Sequence, residues 1–152
     1  MDRRRALLVA SLLVVPAGVR GQGGASRAAP APPLALPAGM SPLPNGAVRV
    51  VFRVGQAELP AGAAETLAEI GRRLAERPAG SGRIAVDGQA SGPANDASVA
   101  RRLSLARAQA VRRALVAGGL DETRVDVRAL GRTPAALDVA DVLPPEAQRA
   151  SR

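Results

Sequence analysis

Leu103-Ser104-Leu105-Ala106-Arg107-Ala108-Gln109-Ala110-Val111 is the stretch on which the fold assignment turns. At roughly 100° per residue it sits inside a helix predicted from about Ser98 to Ala117, whose Val99, Leu103, Ala110, Val111, Ala114 and Leu115 share one broad apolar side. Arg101, Arg102, Arg112 and Arg113 cluster opposite, the usual pattern of a solvated face. Arg107 breaks this division: it falls about 180° from the basic stripe, in the middle of the apolar side. A guanidinium placed there is costly unless a carboxylate, carbonyls or an anionic ligand satisfies it. Two readings follow. Either Arg107 snorkels at the edge of the core or pairs internally, for example with Asp87, or its planar fork faces a pocket and takes a ligand carboxylate through two parallel hydrogen bonds. Asp96 or Ser98 can cap the start of this helix, and Gly118 with Gly119 ends it.

Upstream, Ile84 and Val86 mark a strand that leads into a loop of Gly, Pro, Asn and Asp from Gly88 to Ala97. Further upstream, Val48, Val50, Phe52 and Val54 alternate with Arg49, Val51 and Arg53, the period of a half-buried strand. Pro60 opens a helix to about Arg77, in which Leu67, Ile70, Gly71 and Leu74 fall at i, i+3, i+4 and i+7. Pro78, Gly80 and Gly82 end it. Downstream of the arginine helix, Arg124 to Leu130 reads as a strand with Val125, Val127 and Ala129 on one face, and Gly131 to Pro134 as a turn. Val139 to Leu143 reads as a short edge strand closed by Pro144 and Pro145. Two crossovers onto one sheet predict an α+β fold: a two-layer βαβαββ sandwich with two helices on one face of a mixed sheet of three to four strands.

The rest of the chain reads as accessory. Arg3, Arg4 and Arg5 precede an apolar run from Ala6 to Val15, about half the length that crosses a bilayer, and Pro16, Ala17 and Gly18 follow. Residues 1–21 are therefore expected to be a signal peptide, compatible with general or twin-arginine export. Residues 22–46, with Pro30, Pro32, Pro33, Pro37, Pro42 and Pro44, are expected to form a disordered Pro/Ala/Gly-rich linker. The domain is then expected at 47–145 and a flexible tail at 146–152.

Composition closes off most chemistry. The 152-residue chain contains no His, no Cys and no Lys, which removes thiolate and imidazole zinc sites, imidazole-assisted nucleophiles and Schiff-base lysines. A carboxylate pair remains formally open to the 13 acidic residues, but nothing in their spacing suggests one. No catalytic residue, cofactor or metal is expected. The net charge of +8, carried by arginine alone, suits phosphate contact. With Phe52 as the single aromatic residue, however, there are no platforms for base stacking, and nucleic acid is not an expected partner.

The 103–111 stretch resembles the "L-S-x-x-R-A-x-x-V" helix of the OmpA-like C-terminal, peptidoglycan-associating domain family. The surroundings agree. Phe52 with Ala57 and Leu59 is similar to that family's opening strand and following turn, Val86 with Gly88 to its second strand, Gly118 to Leu120 to the turn before its third, and Ala129 to Pro134 to the turn after it. The resemblance implies a non-catalytic cell-envelope protein, exported to the periplasm and associated with the outer membrane or cell wall. It also implies that Arg107 takes the carboxylate of the peptidoglycan stem-peptide diaminopimelate. The family's acid, which takes the amino group, falls on Ser91; its helix Asn falls on Ala100; and its Asn-Arg-Arg element falls on Asp138, Val139 and Ala140. Peptidoglycan affinity is accordingly expected to be weakened, with Asp87 and Asp96 as the nearby acids able to compensate. The alternative is a degenerate domain of the same fold serving as a periplasmic protein-interaction or structural module, with envelope proteins as partners.

Overall fold

The structure, a computed structural model, describes residues 32–78 and 81–152. The chain divides into two units, Met1–Pro32 and Pro33–Arg152, and every element named below belongs to the second. The expected signal peptide, and the expected linker as far as residue 31, lie outside the described residues.

Among the described residues, five strands and three α-helices follow in the order β1 (Met40–Pro42), β2 (Val48–Val51), α1 (Ala63–Ala75), β3 (Ile84–Gln89), α2 (Ala97–Ala117), β4 (Val125–Gly131), β5 (Val139–Leu143) and α3 (Pro145–Ala150). The strands form one mixed sheet in the order β1-β2-β5-β3-β4. β3 and β4, joined by α2, are parallel, while β5 runs antiparallel to both β2 and β3. The fold is the expected α+β sandwich, with one strand more than the upper expectation.

Alternation along the strands sends Val50, Ile84, Val86, Val125 and Val142 toward the helices, where they meet Leu67, Leu74, Val111 and Leu115 in a single aliphatic core. Phe52 is the core's only ring. Two glycines set the close approach of the layers. A Cβ on Gly71 of α1 would stand 2.0 Å from the carbonyl oxygen of Leu115 in α2, and one on Gly88 of β3 would stand 2.0 Å from that of Ser104. Any side chain at either position would push α2 away from its neighbour. At Gly88 that displacement would carry away the turn of helix that bears Arg107.

Four expectations are corrected. First, part of the stretch read as a disordered linker is folded. β1 pairs antiparallel with β2, Met40 opposite Val50, and Met40 is buried in the core with Leu36 packed against it. The prolines did not forbid this, because β1 is an edge strand and Pro42 ends it, where a missing N–H costs no ladder bond. Second, β5 is central rather than an edge, lying between β2 and β3 with Val139, Ala140, Asp141 and Val142 buried. Pro144 and Pro145 follow the strand and take no part in its pairing. Third, the expected flexible tail begins with α3, whose Ala147 is buried and whose Gln148 side chain donates to the carbonyls of Arg83 and Leu143. Fourth, β2 stops at Val51, and Val54 is 78 % exposed.

Candidate functional site

α2 begins where Asp96 accepts hydrogen bonds from the amides of Ser98 and Val99, which satisfies two of the donors a helix start leaves open. From there the buried side of the helix runs through Ala100, Ser104, Arg107, Ala108, Val111 and Leu115. Ser104 fastens this side to the sheet. Its hydroxyl donates to the Arg101 carbonyl at 2.9 Å and accepts from the Gly131 amide at 3.0 Å, tying α2 to the end of β4.

Arg107 is 0 % exposed. Its Nε–H donates to the Gln56 carbonyl (2.7 Å), Nη1 to the Gln89 carbonyl (2.8 Å) and to Asp138 Oδ1 (2.7 Å), and Nη2 to the Arg53 carbonyl (2.9 Å). Four of the five guanidinium hydrogens are thus used. The guanidinium carbon also lies 5.2 Å from the centre of the Phe52 ring, within range of a cation–π attraction. The internal pairing anticipated for a buried arginine is present, but its acid is Asp138 rather than Asp87. One side chain therefore joins α2 to the loop after β2, the last residue of β3 and the residue before β5.

Asp138 completes the constellation. Its Oδ1 accepts from Arg107 and, at 3.1 Å, from the Ser91 amide, and its carbonyl accepts from the Phe52 amide. Its side chain keeps 13 % of its surface exposed, whereas Arg107 keeps none. Burial pushes the Asp138 carboxyl up, but hydrogen bonds from Ser91 and Arg107 outweigh that cost and hold it below the usual carboxylate range. On the other side of Ser91, its carbonyl accepts from the exposed Arg132 guanidinium. Thr133 fixes the turn beside it by donating to the Gln89 side-chain oxygen at 2.7 Å.

Of the residues singled out from sequence, the fold gathers Arg107 and Ser91 around Asp138 and leaves Asp87 and Asp96 elsewhere. Asp87 lies one residue before Gly88 and so faces away from the helices. It accepts from Arg128 Nε of β4 at 2.6 Å and stands opposite Asp141 of β5, which in turn holds Arg49 of β2 through two bonds of 2.8 Å. Burial raises the Asp87 pKa, with the Asp141 charge adding to it against the opposing pull of Arg128. Asp96 is committed to its cap. Asp138 is the site residue that sequence reasoning missed. Its one signal was its position in place of the family's Asn directly before the last strand. Among the described residues no group of three or more acidic residues is placed to hold a metal ion, and no helix is long and apolar enough to cross a membrane.

Known proteins give the frame for this geometry. The peptidoglycan-associated lipoprotein of Burkholderia pseudomallei superposes with a TM-score of 0.54 at 21% identity, covering 62% of this chain and 87% of that one. The periplasmic domain of Helicobacter pylori MotB (residues 90–256) superposes with a TM-score of 0.52 at 10% identity, covering 69% and 77%. At such identities the likeness establishes the fold. Comparison with curated protein sequences finds no match. The sequence model described as the OmpA family matches residues 51–149, from the last residue of β2 into α3, which takes in α2 with Arg107 and the loop with Asp138. This match spans more than half of the sequence, and the chain belongs to the OmpA family.

Proposed function

We propose that this chain is an exported, non-catalytic cell-envelope protein that associates with peptidoglycan through its OmpA-like domain, contacting the diaminopimelate of the stem peptide with weakened affinity. The observation that carries this reading is the pair of opposite charges at the end of β3. Arg107 stands at the family's helix position, and Asp138 holds it beside Ser91, with part of the acid open to solvent. A zwitterionic ligand end needs complementary charges in one place, and here they converge. The fold neighbour named as a peptidoglycan-associated lipoprotein and the MotB periplasmic domain support the envelope setting.

A second reading, a protein-interaction module of the same fold, draws support from the same arginine. Arg107 is already satisfied by three carbonyls and a carboxylate and needs no ligand to justify its burial. Co-sedimentation with purified diaminopimelate-containing sacculi separates the two, at fixed salt because a basic chain also adheres to anionic wall polymers. The peptidoglycan reading expects saturable binding. It also expects Ser91→Asp, which adds a second charge-assisted acceptor for an ammonium, to bind about tenfold tighter. No saturable binding by either protein would leave the interaction module as the better account.

A further inference from the structure

We infer that the outward face of α2 docks against an anionic lipid surface, with its arginines on headgroup phosphates and Leu105 entering between them. The inference stands apart from the peptidoglycan reading, which concerns the end of β3.

The two long helices treat charge differently. On α1, Arg72 is held by Glu69 and Glu76, and Arg73 by Glu69, the paired charges of an ordinary solvated face. The 21 residues of α2 include five arginines and no acid. Arg107 is buried, and the other four lie on the outward side. Among the described residues the Arg101 and Arg113 side chains make no hydrogen bond or salt bridge, and Arg102 reaches only the Ser98 hydroxyl, at 3.4 Å. Of the acids at either end of the helix, Asp96 is committed to the cap and Glu122 to Arg112. The positive charge of this face is therefore not neutralised within the chain.

The layout selects the partner. At about 100° per residue, Arg101 and Arg112 form one row along the helix, Arg102 and Arg113 a second row about 100° further round, and Leu105, Gln109 and Val116 fall between them. Within each row the arginines stand about 16 Å apart along the axis. Leu105, 38 % exposed, is the one large apolar side chain that a helix exposes among the described residues. Gln109, Arg112, Arg113 and Val116 also line an open hollow of about 380 Å³. Cationic rows flanking an apolar strip fit a flat surface with phosphates above an apolar interior, because the guanidiniums stay at phosphate level while Leu105 passes below them. A soluble phosphate polymer would use the arginines and leave Leu105 idle. Ser104 and Arg107 fix the opposite side of α2 to the sheet and loops, so the face is presented already ordered and binding costs little chain entropy.

The test uses Pro33–Arg152, the compact unit that holds the whole described core, so that the apolar run Ala6–Val15 adds no lipid binding of its own. Co-sedimentation at physiological salt compares vesicles of phosphatidylglycerol and phosphatidylcholine in equal parts with vesicles of phosphatidylcholine alone. Binding is expected to the first and not to the second. Arg101→Gln with Arg113→Gln removes two side chains that make no bonds, so the fold should persist while binding falls about fivefold for each arginine lost. Arg149→Gln with Arg152→Gln makes the same change of charge at the C-terminal end and should alter binding by less than about threefold. Leu105→Gln should weaken binding to the mixed vesicles and leave binding to soluble polyphosphate unchanged. Equal binding of wild type to both vesicles, or an equal loss in the two double variants, would overturn the proposal. Wild-type affinity for vesicles in Leu105→Gln would also overturn it, in favour of a soluble polyanion as the partner.

Discussion

Independently of any ligand, the hydrogen bonds around Arg107 make it a bolt between α2 and three other segments. Removing one partner of a buried, hydrogen-bonded pair typically costs about 3–5 kcal/mol. Arg107→Met is therefore expected to lower the unfolding free energy by about 3 kcal/mol or more, measured by denaturant titration. Arg107→Lys should recover less than half of that loss, because an ammonium cannot span the carbonyls of Arg53, Gln56 and Gln89 together with Asp138. The pair also sets a pH dependence. The Asp138 carboxyl is held below its unfolded value, so its stabilising contribution is present above that value and is lost as pH falls through the lower, folded one. Thermal midpoints should accordingly fall on acidification below about pH 4, and less so in Asp138→Asn. Arg107 was legible in the sequence because a charge on an apolar helix face demands a partner. The partner was not legible, because it lies 31 residues away in a loop and no periodicity links the two.

Among the elements, α1, β3, α2 and β4 followed from hydrophobic period and from the Asp96 cap and Gly118 stop, since local chemistry decides them. β1 and α3 were missed, and β5, expected at 139–143 and found there, was misplaced at the edge, because such states depend on what the segments pack against. β1 is three residues long and carries a proline, and pairing with β2 and burial of Met40 give it its place. Its contribution is measurable. Full burial of a large apolar side chain is worth about 1.5–3 kcal/mol, so a chain starting at Ala47 should be less stable by at least about 2 kcal/mol than one starting at Pro33. It should also leave the outer edge of β2 unpaired. Equal stability of the two in urea would mean that β1 is decoration and that the tether runs to residue 46 after all.

At the scale of the whole molecule, many of the arginines are held in ion pairs with the acidic residues, which leaves the net charge of +8 unchanged. Arg49–Asp141, Arg72–Glu69, Arg77–Glu146, Arg83–Asp126 and Arg128–Asp87 tie neighbouring elements together or decorate helices. Glu69, bonded by Arg72 and Arg73, has its pKa lowered to about 2, yet its side chain keeps 30% of its surface open to solvent, and salt will screen what it contributes. What distinguishes the end of β3 is that three segments distant in sequence bring Arg107, Ser91, Arg132 and Asp138 together on a fold otherwise held by aliphatic packing. The central claim, that this constellation meets the diaminopimelate of peptidoglycan, is tested most directly by titrating the isotopically labelled protein with a soluble diaminopimelate-containing muropeptide and following amide and arginine Nε shifts. Saturable shifts concentrated at Gln89–Ser91, Arg132 and Asp138, with smaller ones at Arg107 Nε, are the predicted result. No shifts at millimolar ligand, or shifts confined to the 420 Å³ cleft between Gly39 and Pro60, would contradict it.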